Sequence, residues 1–139
     1  MRSELRKLNG KRLLALALWG EARGEFPEGK VAVAHVILNR AAIGGWYGRS
    51  ITGVILKPGH FSCFNDNTVL MKFLETSGVD ATPEHFDVCE AIADIALKGL
   101  TNDPTGGATH YHAVTMEQLP WWAPLMIQTA KIGGHIFYK

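Results

Sequence analysis

The stretch from Leu13 to Arg40 constrains this chain most. In it two apolar helical runs flank a short polar knot, Glu21-Ala22-Arg23-Gly24-Glu25. Leu13, Ala17 and Glu21 fall at i, i+4 and i+8, with Leu14 and Leu18 beside them, so Glu21 stands one turn beyond apolar positions on the same helical face. A carboxyl at the inner end of a buried stripe loses hydration, and desolvation favours its neutral, proton-donating form. That is how a carboxylic acid becomes a general acid near neutral pH. The plainer alternative is a structural carboxyl, which burial would oblige to find a partner such as Arg23 or Arg40. Its address at a helix end beside a glycine-containing turn favours exposure in a cleft.

The rest of the chain reads as one mainly helical domain with a minor sheet, an α+β layout. Residues 3–20 form a helix with Ser3 as N-cap, which Asn9-Gly10 can break, leaving a strong part at 11–20. A second helix spans about 28–42, led in by Pro27 and stopped by Gly44-Gly45. Ser50 can cap a short helix at 51–56, and another follows at 68–76. Thr82 and Pro83 then suit the N-cap and first position of a helix running to Lys98, with Gly99 as its stop. After the turn-forming run Asn102 to Gly107, residues 108–114 alternate as a strand and 134–138 as a closing strand, a small antiparallel pair. Between them lie an aromatic loop, 119–124, and a short helix, 125–131.

Charge and composition narrow the partner. At 139 residues the chain is long enough for one self-sufficient core. Its 14 Lys+Arg against 13 Asp+Glu leave no electrostatic footprint for nucleic acid. A partner recognised by shape and hydrogen bonding fits better than one captured by bulk charge. The basic start followed by Leu13 to Trp19 resembles a secretory leader, yet the apolar run is short and cleavage there would remove or expose Glu21, so a mature helix is expected. No run approaches the roughly 18 apolar residues of a membrane span. Cys63 and Cys89 are too few for a disulfide framework and match no zinc spacing. Nothing indicates self-association, so a monomer is expected.

The blocks Trp19-Gly20-Glu21-Ala22-Arg23-Gly24-Glu25, Glu28 to Ala34, Leu38-Asn39-Arg40, His60-Phe61-Ser62-Cys63, Pro104 to Ala108, Trp122-Ala123 and Ile132 to Tyr138 occur in one order. Together they resemble the SleB/CwlJ family of cell-wall hydrolases over roughly residues 12–139. The resemblance implies a lysozyme-like fold without a cofactor, acting on peptidoglycan glycan strands at the MurNAc–GlcNAc β-1,4 bond. It implies that Glu21 is the catalytic acid. It also implies lytic transglycosylase chemistry, in which the muramic acid 6-hydroxyl attacks its own anomeric carbon and leaves a 1,6-anhydro product. A compact catalytic domain with no evident leader would suit a phage endolysin, held in the bacterial cytoplasm before release to the wall.

The residues leave room for rivals. Hydrolysis usually wants a second carboxylate across the scissile bond. Asp66, Asp80 and Asp103 are loop acids, but no motif marks one of them. Glu25 could share the cleft and tune Glu21, or could serve the next helix's dipole and Arg23. Phe61, Ser62, Thr109 and Tyr111 are the expected groove residues, with core packing the alternative for Phe61. Strand alternation turns Tyr111 away from His110 and makes it the better groove residue. Trp46, Tyr47, Trp121 and Trp122 would contact glycan or pin loops, and Trp122 is expected in the core. His110 and His112 share one strand face, and His60 and His135 could join them in the metal site of an amidase. Such a site needs a ligand from afar and no Glu-containing metal motif accompanies it, so no metal is expected. A non-catalytic wall-binding or virion structural module is the remaining reading.

Overall fold

Helix α2 (Gly10–Ala22) is the axis of the core in the computed structural model, which describes residues 1–139. Asn9 Oδ1 accepts from the Arg12 N–H at 2.8 Å, so the Asn9-Gly10 break becomes an N-cap that separates α2 from the single-turn α1 (Arg2–Arg6). Every α2 residue from Leu13 to Trp19 is buried. A helix apolar on all sides is a core helix, and α2 contacts α3, α4, α5 and α6 around it. These are α3 (Pro27–Ile43), α4 (Ile51–Leu56), α5 (Val69–Ser77) and α6 (Asp87–Leu97). Pro27 opens α3, Ser50 Oγ caps α4 through the Gly53 N–H, and Thr68 Oγ1 caps α5 through the Met71 N–H.

Two expectations are corrected. The helix expected from Thr82 begins only at Asp87. Tertiary hydrogen bonds hold the preceding segment in another shape. The Arg12 guanidinium donates to Val79 O and Ala81 O, Trp19 Nε1 donates to Glu84 O at 2.7 Å, and His85 sits at φ 58°. A residue in the left-handed region cannot lie within a right-handed helix. The second correction lies at 125–131, which is mostly strand: a 3₁₀ turn at Ala123–Leu125 leads into β2 (Gln128–Ile132). Gly133-Gly134 forms a two-residue hairpin to β3 (His135–Tyr138), with Ile132 facing His135 and Gly133 at φ 55°. Pairing along β3 overrides the weak helical pattern of this short segment.

The sheet is thus three-stranded and antiparallel, in the order β1-β3-β2, with β1 (His110–Ala113) on an edge. Helix α3 holds it. Ala32 and Val36 pack with Ala108 and Phe137, Asn39 Nδ2 donates to Ala108 O at 2.9 Å, and Arg40 Nε donates to Thr109 O at 2.7 Å. Asp103, expected as a loop acid, organises the turn before β1. Its oxygens accept from Thr105 N and Oγ1, Asn39 Nδ2 and Gly107 N. Burial alone would raise its carboxyl, but these donors outweigh burial and hold it below the ordinary carboxylate value.

Gly20 is where the helical core meets the loop that carries Ser62. A Cβ at Gly20 would lie 2.6 Å from Cys63 Cβ and 2.7 Å from Cys63 Sγ. Neither atom is the far end of a flexible chain, so the 3₁₀ turn Ser62–Phe64 packs against α2 only because residue 20 has no side chain. Burial lowers the pKa of four histidines, His35, His60, His110 and His135. For His35 the charge of Asp103 opposes this; for His135 those of Glu25 and Glu21 do. For His60 the bond to Val54 O opposes it while Arg40 and Lys57 add to it. His110 falls to about 4, burial being reinforced by Arg40 and His60.

Two outcomes are expected. Gly20→Ala should lower stability, since overpacking costs about 1–3 kcal/mol against the ~1 kcal/mol that Ala gains over Gly in a helix. A thermal melt reads it, and an unchanged or raised melting temperature would contradict the close approach. The histidines set a pH dependence. Their folded pKa values lie below the unfolded ~6.5, so above that pH they leave stability untouched. As pH falls from ~6.5 towards 4, the unfolded chain takes up protons that the folded one refuses, and stability declines. Urea midpoints measured from pH 8 to pH 4 should fall through that window; a midpoint rising on acidification would show that these imidazoles are charged in the folded state.

Candidate active site

Glu21 lies in the last turn of α2, partly buried, and each of its oxygens accepts one hydrogen bond from a distant part of the chain. The Tyr111 hydroxyl donates to Oε1 at 2.5 Å and the Cys63 N–H to Oε2 at 3.2 Å. A carboxylate has about four acceptor positions, so two remain for substrate or a proton. Neither expected arginine pairs with Glu21. Arg23 Nη1 donates to Trp19 O at 3.2 Å with its guanidinium over the Trp19 ring. Arg40 spends its Nε on Thr109 O, and Glu21 is in none of the ion pairs of the molecule. The structural-carboxyl reading therefore lacks its partner.

Glu21 and Ser62 border two cavities at once. One, of about 430 Å³, is lined further by Arg40, Trp46, His60, His110, Tyr111 and Trp121. The other, of about 470 Å³, is lined by Arg23, Cys63, Asn65, Asp66 and Thr68 among others. A polymer lying across both would pass Glu21 midway. The electrostatics around the carboxylate are one-sided. Burial first, then the Glu21 charge, pushes the Tyr111 hydroxyl and the Cys63 thiol above their ordinary values, so both stay protonated. Arg40, whose pKa burial lowers while Tyr111, Tyr47 and Glu21 oppose the shift, remains a cation at neutral pH.

Of the expected groove residues, Ser62 is exposed on both cavities and Tyr111 lines the first. Phe61 is buried and carries the Arg40 guanidinium on its ring at 5.3 Å, so its role here is packing. Thr109 is buried as well; its carbonyl takes Arg40 and its hydroxyl meets His110 Nδ1 at 3.0 Å. Glu25 lines neither cavity. Its Oε1 accepts from Gly134 N at 2.7 Å, and a Cβ on Gly133 or Gly134 would strike its carboxylate, so Glu25 clamps the β2–β3 hairpin to the turn after α2. Lys30 Nζ secures the same turn through the Arg23 and Glu25 carbonyls.

Two expectations change. His110 lines the same cavity as Tyr111, because β1 is a short edge strand and the cavity reaches side chains on both of its faces. Trp122, expected in the core, lines that cavity too, its ring tilted against that of His110 with centroids 4.9 Å apart. The histidines are otherwise engaged. His112 Nε2 meets Tyr138 Oη at 2.8 Å, His60 Nδ1 meets Val54 O at 2.9 Å, and no group of three or more His, Cys, Asp or Glu is placed to hold a metal ion. From sequence, Arg40 stands out only as a possible partner for Glu21 and as the end of the Leu38-Asn39-Arg40 block. Its signal was in the sequence: it continues the buried positions Val33, Val36 and Ile37 along one helical face, an odd place for an arginine. Trp46, expected to contact glycan or pin a loop, and His60, considered as a metal ligand, are brought together by loop packing, which no local pattern signals.

Comparison with known proteins bears on this geometry. A family model described as Cell Wall Hydrolase matches residues 24–138. The spore cortex-lytic enzyme of Bacillus subtilis (strain 168) is 38% identical over 130 residues, which is 93% of this chain and 37% of that enzyme. The spore cortex-lytic enzyme of Bacillus cereus is 36% identical over 132 residues, 94% of this chain and 44% of that one. The chain thus spans less than half the length of these relatives. The solved catalytic domain of the germination-specific lytic transglycosylase SleB from Bacillus anthracis is similar with a TM-score of 0.70 at 32% identity, covering 96% of each chain. The catalytic domain of Bacillus cereus SleB gives a TM-score of 0.71 at 32% identity, over 94% of this chain and 89% of that one. Glu21 precedes the segment matched by the family model but falls within these longer similarities. The mainly helical domain with its small antiparallel sheet belongs to the cell wall hydrolase family and has the fold of the SleB catalytic domain.

Proposed function

We propose that this chain is a peptidoglycan lytic transglycosylase that cleaves the MurNAc–GlcNAc β-1,4 bond with Glu21 as both acid and base. The observation that carries the reading is the position of Glu21, a carboxyl without an ion pair at the junction of two cavities. The similarity to a lytic transglycosylase over nearly the whole chain supports it.

The reaction needs one carboxyl. Protonated Glu21 gives its proton to the glycosidic oxygen, the bond from that oxygen to muramic acid C1 breaks, and the GlcNAc 4-hydroxyl departs. The resulting carboxylate takes the proton from the muramic acid 6-hydroxyl as O6 bonds to C1 and closes the 1,6-anhydro ring. Glu21 ends as it began. Tyr111 and the Cys63 N–H hold the carboxylate in place throughout and stabilise the charge it carries midway. Asp103 is committed to its turn, and Asp80 lines neither cavity. Asp66 borders the second cavity and is the one loop acid in position to direct a water, which would make the enzyme a hydrolase.

Mass spectrometry of soluble products from purified peptidoglycan decides between them. The wild type and Asp66→Asn should both release anhydromuropeptides, while Glu21→Gln should lose at least about 100-fold in rate, the usual worth of a general acid. Reducing-end muramic products that disappear in Asp66→Asn would replace transglycosylation by hydrolysis, and undiminished cleavage by Glu21→Gln would sink the assignment. Tyr111→Phe keeps the Cys63 donor and removes one charge-assisted hydrogen bond. It should lower kcat by about tenfold with little change in KM, since such a bond is worth about 1.5–3 kcal/mol. An unaltered kcat would reduce Tyr111 to packing.

A further inference from the structure

Arg40 is the one charged group in the first cavity that the proposed reaction leaves unused. It is only 7% exposed, yet it is in no ion pair. Its guanidinium lies between the Tyr47 ring at 5.4 Å and the Phe61 ring at 5.3 Å. Nε is tied to Thr109 O at 2.7 Å, the only hydrogen bond of the side chain. The rings and that bond fix the guanidinium plane, and its two terminal nitrogens stay free where it lines the cavity beside Glu21. A buried cation without a counter-charge is unfavourable unless something else supplies the charge. A planar guanidinium with its fork unspent is built for a carboxylate or for an acyl oxygen.

A strand of alternating GlcNAc and MurNAc offers one such group, the carboxyl of the lactyl ether on O3 of muramic acid. It is a carboxylate on bare strands and an amide carbonyl where a peptide is attached. We propose that Arg40 binds this lactyl carboxyl, which places the muramic acid whose C1 is attacked in the first cavity and the departing GlcNAc in the second. The strand therefore has a defined direction across Glu21. The exposed indoles of Trp46 and Trp121 on the same cavity supply apolar faces for the sugar ring. Neutral His60 and His110 add no second charge to compete for the carboxylate. The proposal rests on the peptidoglycan reading above and adds its polarity and the group recognised.

Free N-acetylmuramic acid and N-acetylglucosamine differ only in the lactyl ether, so they are the probes. Both would be titrated into the isotope-labelled wild type, Arg40→Met and Arg40→Lys, with the backbone amide and tryptophan indole N–H resonances followed by NMR. The wild type should bind N-acetylmuramic acid about tenfold more tightly than N-acetylglucosamine, the size expected of a charge-assisted pair. The methyl ester of N-acetylmuramic acid should lie between them, and shifts should concentrate on Trp46, Trp121 and Trp122. Arg40→Met should lose the preference while still binding N-acetylglucosamine, and Arg40→Lys should keep part of it. Equal binding of the two sugars by the wild type, or shifts confined to Asn65, Asp66 and Thr68, would overturn the proposal without any variant having to fold. Preserved discrimination in Arg40→Met would overturn it too. Failure of the reaction reads separately: a clear muramic preference with no anhydro products would overturn transglycosylation and leave the subsite standing.

Discussion

The Glu21 carboxylate is where three separately folded parts of this chain meet. It sits at the end of the most deeply buried helix, takes a hydroxyl from the edge strand and takes an N–H from the loop after α4. None of these parts is near another in sequence; Tyr111 is 90 residues away. A buried helix with an ionisable last turn fixes one partner rigidly, and the other two are brought to it by packing. The cost of desolvating the carboxylate is met by donors on both of its oxygens, without the ion pair that would have made it a structural group.

Most of the remaining polar architecture serves to keep those donors in register. Arg40 and Asn39 reach from α3 to the carbonyls of Thr109 and Ala108 and so set the height of β1. Asp103 uses four acceptor contacts to shape the turn that delivers β1 to α3. Glu25 holds the opposite end of the sheet by grasping the β2–β3 hairpin. Gly20 lets the Cys63 loop come close enough to donate. In each case a polar or missing side chain, rather than apolar area, specifies position, as expected where fixed geometry matters more than bulk stability.

The helical part of the fold was legible because its signals are local. The apolar run of α2, the Asn9, Ser50 and Thr68 positions before helices, and the glycines after them act within a few residues. The errors fall where non-local bonds won. Residues 82–86 have the chemistry of a helix start, but Arg12 and Trp19 claim their neighbouring carbonyls. Residues 128–132 have no strong pattern of their own and become a strand because β3 offers a ladder. The same division runs through the site. Glu21 stood out from its place on an apolar face, and Tyr111 from alternation. His110 reaches the cavity against its alternation, since the alternation of a strand cannot say how a cavity wraps its edge, and the loop residue Trp122 lines it because no local pattern says which way a loop aromatic faces.

By itself the sequence determined the helical core, the identity of its one carboxyl at the inner end of α2, and the family to which the ordered motifs belong. Tertiary structure alone decided that Glu21 has two donors and no cation, that Glu25 is a clamp rather than a second acid in the groove, and that Arg40 ends unpaired in a cavity. The physical reason is range. Caps, periodicity and turn residues act over one or two helical turns, whereas the state of a buried charge depends on every group packed around it, whichever part of the chain supplies it.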